Sequence, residues 1–375
     1  MAKEDLIWIQ EQQLCMQKQL QKWADINSFS RNPQGLNKIA SLLEEDFKKL
    51  NPDKTEKMAC GDAHCLFFEK RKKNGLHLFL AGHMDTVFAP SSLFQKTTFP
   101  NKEQMMGPGV CDMKGGLVIL YTLLQAIERS DLADQIGWSL LINPDEEIGS
   151  LQSTPFFKQV APGADLALVF EPSLPDGSLI CSRPASANYH AKVVGKAAHV
   201  GRHAKEGKNA IFALANFLHA IEPLNTDDSI VNVGTINGGK TANIVADYAE
   251  AYINVRGTDE KAFHQIEALA KKKHVELKRE SFRPAKPFDQ KTKELFLTLQ
   301  RCAKKMSTTI RWQPSGGVCD GNLIASLNIP TIDTLGAIGG GIHTEQEFVS
   351  LASLSERCSL AFLFLEELAT QKVPI

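Results

Sequence analysis

The chain has 375 residues, with 42 basic and 43 acidic side chains and a formal net charge of −1. That balance gives no electrostatic reason to expect nucleic acid or an anionic membrane as partner. At 43% hydrophobic and 23% charged residues the composition is that of an ordinary globular protein, and the length predicts two domains. No apolar run approaches the ~20 residues of a membrane span, and the polar N-terminal stretch does not read as a signal peptide. The expected location is the cytoplasm.

Apolar residues recur at helical spacing over 6–24 and 33–50, with a break at Asn32-Pro33. Segments at about 64–69 and 76–81 read as strands, and the charge run from Lys70 to Lys73 reads as a solvated hairpin end between them. A helix is expected over 115–128, and strands over 137–143, 164–170 and 179–182. Around Ser182-Arg183-Pro184 the pattern changes. Strand 187–195, helix 209–221, strands 229–236 and 243–255, helix 260–272 and strand 274–281 follow in turn. That βαββαβ order predicts a ferredoxin-like α+β unit of about 100 residues. Residues 282–287 read as the linker back, 291–306 as a helix, 329–333 as a buried strand and 350–369 as the closing helix. The expected division is therefore a discontinuous α/β domain, 1–183 and 288–375, interrupted by a unit at 184–287.

The eight cysteines are scattered, and only Cys60 and Cys65, with His64 between them, lie close together. A zinc knuckle needs a second pair, so free and mostly buried thiols are expected.

The chemistry gathers around residues 107–116, Gly-Pro-Gly-Val-Cys-Asp-Met-Lys-Gly-Gly, where Asp112 sits in a glycine-rich turn that runs into a helix. No Gly-Lys-Ser/Thr follows and the glycine spacing is not the dinucleotide one, so nucleotide readings are weak. Other stretches supply its company. Leu78–Val87 holds His83 and Asp85, Leu140–Glu147 ends in Asp-Glu-Glu, Leu166–Pro172 holds Glu171, and Gly340–Thr344 holds His343. Three of these are apolar runs that end in histidine or carboxylate, which is how an α/β sheet delivers ligands to the carboxyl ends of its strands. Two histidines and several carboxylates suit paired divalent metals, zinc first, with one carboxylate bridging. Asp85, two residues from His83, suits the acceptor of that imidazole's second N–H, with a capping role as the competing reading. Of the adjacent Glu146 and Glu147, one as ligand and one as proton-transferring base is a sensible division.

In order and content these stretches resemble the di-zinc metallopeptidase family of glutamate carboxypeptidases, acetylornithine deacetylase, succinyl-diaminopimelate desuccinylase and the aminoacylases. The resemblance covers nearly the whole chain and is strongest to the glutamate carboxypeptidase branch. It implies a mixed-sheet α/β zinc-peptidase catalytic domain with an inserted ferredoxin-like lid and dimerisation domain. It implies two zinc ions per subunit, with Co²⁺ or Mn²⁺ as possible substitutes, held by His83, Asp112, Glu147, Glu171 and His343. Glu146 falls on the base position, and a cis peptide is implied between Asp112 and Met113. In the inserted unit His199 resembles the histidine that polarises the scissile carbonyl, Asn243 the asparagine that contacts substrate, and Arg256 the arginine that binds a free carboxylate. Gly316 and Gly317 are expected to bring backbone N–H groups near that carboxylate. The family's dimers imply a homodimer through 184–287, in which His199 reaches the partner's site.

The expected substrate is a small molecule or short peptide with a free carboxylate, from which an amino acid is released. An N-acyl amino acid deacylase is the alternative reaction. A non-catalytic metal-binding scaffold is the alternative of another class, and the intact ligand and base positions speak against it.

Overall fold

A computed structural model describes residues 2–71 and 75–371. They fall into two compact units: one takes residues up to Ser182, Pro287–Pro314 and Cys319 onward, the other Arg183–Lys286 and Ser315–Val318.

The first unit is built on a six-stranded mixed sheet in the order Lys54–Cys60, Ala63–Lys70, Ile136–Asn143, Leu76–His83, Leu166–Val169, Thr331–Ile332. The first two pairings are antiparallel and the rest are parallel. Side chains alternate across the central strands as a two-residue period requires. Phe67, Phe79, Leu141 and Val169 face a cluster with Phe157 and Leu323. Phe68, Leu80, Leu140 and Leu168 face the larger core, which includes Leu117 and Leu120 from the helix Lys114–Arg129 and Phe364 from Ala352–Gln371. Covered on both faces, the strand Ile136–Asn143 is buried at all eight positions and reads as a continuous apolar run. A smaller antiparallel sheet joins Gly339–Gly340, Phe348–Ser350 and Gln104–Met106. It sets the loop after residue 340 beside the loop after residue 106.

The second unit is a four-stranded antiparallel sheet in the order Glu276–Arg283, Ala185–Val194, Tyr248–Gly257, Ser229–Gly238. The helices Ala210–Ile221 and Lys261–Lys272 bury Leu214, Phe217, Phe263 and Ile266 with alternate strand residues such as Tyr189, Ala191, Ile253 and Val255. Strand order and connectivity are those of the ferredoxin-like fold. The two ends of its main segment are joined by reciprocal backbone bonds between Arg183 and Lys286, at 3.0 and 2.9 Å.

Several local expectations are corrected. The helix expected over 6–24 is two helices, Ala2–Glu11 and Gln13–Ala24, which meet at Gln12. The strand Lys54–Cys60 was not expected, because at the sheet edge most of its side chains meet solvent and it lacks an apolar pattern. The charge run is not simply solvated. Lys70 and Arg71 both pair with Glu128, whose Oε1 also accepts from Trp138 Nε1 at 2.9 Å, while Lys72 and Lys73 lie outside the described residues. The strand expected from 243 begins at Tyr248, and the strand before the return linker runs on through Arg283. All eight cysteines are free and seven are buried. No helix among the described residues is long and apolar enough to cross a membrane.

Candidate metal centre

Three parallel strands end at one edge of the large sheet and carry the site there. His83 is the last residue of Leu76–His83 and lies in register with Asn143, the last residue of Ile136–Asn143. Glu146 and Glu147 open the single helical turn Glu146–Ile148 just beyond. Glu171 follows Leu166–Val169 by two residues. Asp112 comes from the loop ahead of Lys114–Arg129, and the Asp112–Met113 peptide is cis. Gly116 permits that helix to start against the sheet, since a Cβ there would stand 1.9 Å from the carbonyl oxygen of Phe170, the neighbour of Glu171. His343 lies in the loop after the small sheet, at a left-handed φ of 63° that few non-glycine residues adopt.

These five side chains converge. His83 Nε2 is 3.2 Å from Asp112 Oδ1 and 3.8 Å from Glu171 Oε2. His343 Nε2 is 3.4 Å from Asp112 Oδ2 and 3.0 Å from Glu147 Oε2. Asp112 thus turns one oxygen to each imidazole, with Glu171 on one side and Glu147 on the other. Ligand atoms of His83, Asp112 and Glu147 all lie within 4.8 Å of one another. Asp85 is fully buried behind this set. Its Oδ1 stands 3.2 Å from His83 Nδ1 and accepts from Glu146 N at 3.2 Å, and its Oδ2 accepts from Glu147 N at 3.1 Å and Ser30 Oγ at 2.7 Å. One carboxylate orients both the imidazole and the turn that presents the two glutamates.

Burial pushes both Glu147 and Glu171 up to about 7. Hydrogen bonds to Asp112 and Glu147 push His343 up to about 10. Burial works against a charge on His83, yet the carboxylates of Asp112, Asp85 and Glu171 raise its pKa well above the ordinary value. Burial likewise opposes ionisation of Asp112, but its bonds to His343 and His83 hold it below the usual carboxylate range. Glu171 Oε1 is buried without a hydrogen-bond partner, which costs about 1–3 kcal/mol or more for a charged group. An acceptor-rich pocket of imidazole nitrogens and carboxylate oxygens, one of them unmatched, fits divalent cations.

The remaining sequence-selected residues belong to the second unit. His199 is exposed, and its Nδ1 accepts from Gly201 N at 3.2 Å. A bridge pairs His199 with Ile244, which brings Asn243 alongside, with its Oδ1 accepting from Thr241 Oγ1 at 2.9 Å. Arg256, on Tyr248–Gly257, donates from Nε to Asn254 Oδ1 at 3.1 Å and from Nη1 to the Gly316 carbonyl. The Gly317 carbonyl accepts from Arg183 Nη1 at 3.1 Å, and its N–H donates to Ser315 Oγ at 3.1 Å. This loop therefore turns carbonyls toward the arginines, and the Gly317 N–H is engaged within the loop.

The model of peptidase family M20/M25/M40 matches residues 79–367, a span that includes every residue of this centre. The chain belongs to that family. This peptidase is a hydrolytic enzyme, and its family is metal-dependent. It is 26% identical to carboxypeptidase G2 from a Pseudomonas species, over 96% of this chain and 91% of that one. It is also 26% identical to a succinyl-diaminopimelate desuccinylase from Gluconacetobacter diazotrophicus, over 80% and 83% of the two chains. The fold matches that of a tripeptidase from Staphylococcus aureus with a TM-score of 0.80, at 22% identity and over 96% and 99% of the two chains. A metallo-carboxypeptidase from Sulfolobus solfataricus matches with a TM-score of 0.77, at 16% identity and over 95% and 99%.

Two buried residues of this peptidase escaped the sequence reading. Glu347, 1% exposed, accepts from the backbone N–H groups of Gly109, Cys111 and Asp112 at 3.0, 2.8 and 2.9 Å, and so shapes the loop that carries Asp112. Burial pushes its carboxyl up to about 7. Lys114, also 1% exposed, donates to the Ile26 carbonyl at 3.0 Å, and burial pushes its ammonium down to about 7. The only available signal was position, Glu347 four residues past His343 and Lys114 two past Asp112. Asp145, the first acid of Asp-Glu-Glu, accepts from Gln152 N and Ser153 N at 2.9 and 3.3 Å and shapes its own loop.

Proposed function

We propose that this enzyme is a di-zinc exopeptidase that hydrolyses the amide bond before a residue with a free α-carboxylate, with glutamate as the first candidate. The observation that carries the reading is the sharing of Asp112, one oxygen toward His83 and the other toward His343. His83 and Glu171 would hold one ion, Glu147 and His343 the other, and Asp112 both. When bound, the ions supply Lewis acidity at the scissile carbonyl and lower the pKa of water toward neutrality.

Glu146 is assigned to take the proton of the attacking water and return it to the leaving nitrogen. Asp85 keeps Glu146 in place through its backbone N–H and holds His83 by its other ring nitrogen. Arg256 is assigned to the substrate's free carboxylate, which its planar fork matches better than an ammonium would. Asn243 would flank that carboxylate. His199 is assigned to the carbonyl oxygen, contributed by the second copy in a homodimer formed through 184–287. Eight free cysteines suit a reducing compartment such as the cytoplasm.

Similarity to carboxypeptidase G2 supports the carboxypeptidase reading, and similarity to the desuccinylase supports N-acyl amino acids as the second reading. Amino-acid release by the zinc-loaded protein from C-terminal dipeptides, N-acyl amino acids and their carboxamides tests both. Activity on the free acids, lost on the amides and with a raised KM in Arg256→Ala, is the expected result. Equal turnover of acids and amides would refute carboxylate recognition.

A further inference from the structure

Arg357 carries a charge into the interior of the first unit. It lies on the helix Ala352–Gln371 and is 4% exposed. Its Nη2 donates to Ser173 Oγ at 3.3 Å and the Gly177 carbonyl at 2.6 Å, both neutral acceptors. Gly177, at a φ of 79°, lets the chain come so close that a Cβ there would stand 3.0 Å from Nη2. The other terminal nitrogen, Nη1, is buried without a hydrogen-bond partner. Leaving a charged donor so placed is unfavourable, and burial pushes the guanidinium pKa down to about 10.

Arg357 is among the residues that line a cavity of about 190 Å³. That is several times the roughly 30 Å³ one water molecule takes in the liquid. Met306, Ile310, Ile338 and Leu360 give it an apolar wall, and Glu356 and Asp176, whose carboxylate also accepts from Ser178 N and Oγ at 2.9 Å each, line it as well. A guanidinium fork selects a carboxylate, but a simple anion would also face those two acids. A zwitterion satisfies both signs, with its carboxylate on Arg357 and its ammonium toward Asp176 or Glu356. The apolar wall then takes an aliphatic side chain. We propose that this cavity is a second binding site, separate from the metal centre, for a free α-amino acid with an apolar side chain, such as leucine or methionine. Ser173, which shares the guanidinium, lies two residues beyond Glu171, so occupancy bears on the segment that presents that carboxylate.

Binding is tested by calorimetric titration of the zinc-loaded full chain with L-leucine, and by anomalous diffraction from crystals soaked in L-selenomethionine. Because a free amino acid could also enter the catalytic site, both measurements are repeated on Arg256→Ala. The expected result is a selenium peak between Met306 and Leu360 that persists in Arg256→Ala. Affinity should fall at least about tenfold in Arg357→Gln, and equally for leucinamide, which lacks the carboxylate. Thr309 lines the cavity and is exposed, so Thr309→Trp closes the mouth without disturbing the core, and it serves if Arg357→Gln does not fold. It should weaken leucine by the same factor. Absence of binding at millimolar leucine, a peak only at the metal centre, equal affinity for leucinamide, or indifference to Thr309→Trp would each overturn the proposal.

Discussion

The edge of the central sheet and the 199–243 stretch of the second unit hold their candidate site side chains in opposite ways. His83, Asp112 and Glu171 are buried, and their supports come from far along the chain, as when Glu347 receives the N–H of Asp112. His199 and Asn243 are exposed, and their side-chain bonds reach only to Gly201 and Thr241, two residues away. The first arrangement fixes donor atoms before any ligand arrives, as metal binding requires. The second leaves side chains free to settle on a substrate, at the entropic cost of ordering them on binding.

The largest expected effect probes the preformed side. Glu146→Gln should lower kcat by ~10²–10⁴-fold, the range for a lost general base, while metal content measured by atomic absorption stays normal. Turnover close to wild type with normal metal would remove Glu146 from that role. Next, Asp85→Asn replaces an acceptor that serves His83, Ser30 and the N–H groups of Glu146 and Glu147. Chelator competition should show metal affinity weakened ~10–100-fold. Thr241→Ala, which frees Asn243 in the other region, should leave metal affinity unchanged. Equal effects of the two substitutions would erase the contrast.

The exposed side is tested by complementation. Glu146→Ala and His199→Ala are each expected to be inactive. If His199 serves the partner's site, random subunit exchange makes half the dimers mixed, each with one intact site, and about a quarter of wild-type activity returns. No recovery after confirmed exchange would retire a His199 that acts in the partner's site.

The smallest effect lies away from both regions. Burial opposes ionisation of Glu128, but hydrogen bonds from Arg71, Lys70 and Trp138 outweigh it and hold the carboxyl below its ordinary range. A depressed folded pKa contributes stability above the unfolded value of about 4.3, and that contribution is lost as pH falls through the folded value. Urea unfolding should find Glu128→Gln about 1–2 kcal/mol less stable at neutral pH, with the difference closing on acidification. Metal affinity should not change. A gap that widened at low pH would contradict the linkage.

Much of the centre was legible because its donors sit in short runs that each combine a local structural signal with the ligand. An apolar strand followed by His83 or Glu171, and a glycine-rich helix start around Asp112, are patterns of neighbouring residues, and strand periodicity places them at one sheet edge. The ferredoxin-like unit was legible for the same reason, since its alternation of periods two and 3.6 is local. Boundaries and edges were less so. Lys54–Cys60 becomes a strand only by pairing with Ala63–Lys70, and Gln12 interrupts a helix that periodicity alone would carry through.

What the sequence by itself determined, then, was the kind of chemistry and the elements that deliver it, because helix and strand periods and ligand types are written in adjacent residues. Tertiary structure alone decided which charges are supported and which are not. Glu347 meets the N–H of Asp112 across 235 positions of chain, and Arg357 meets Gly177 across 180. Burial and hydrogen bonding at such separations depend on how the sheets and helices close on one another, and no local pattern of residue types specifies them.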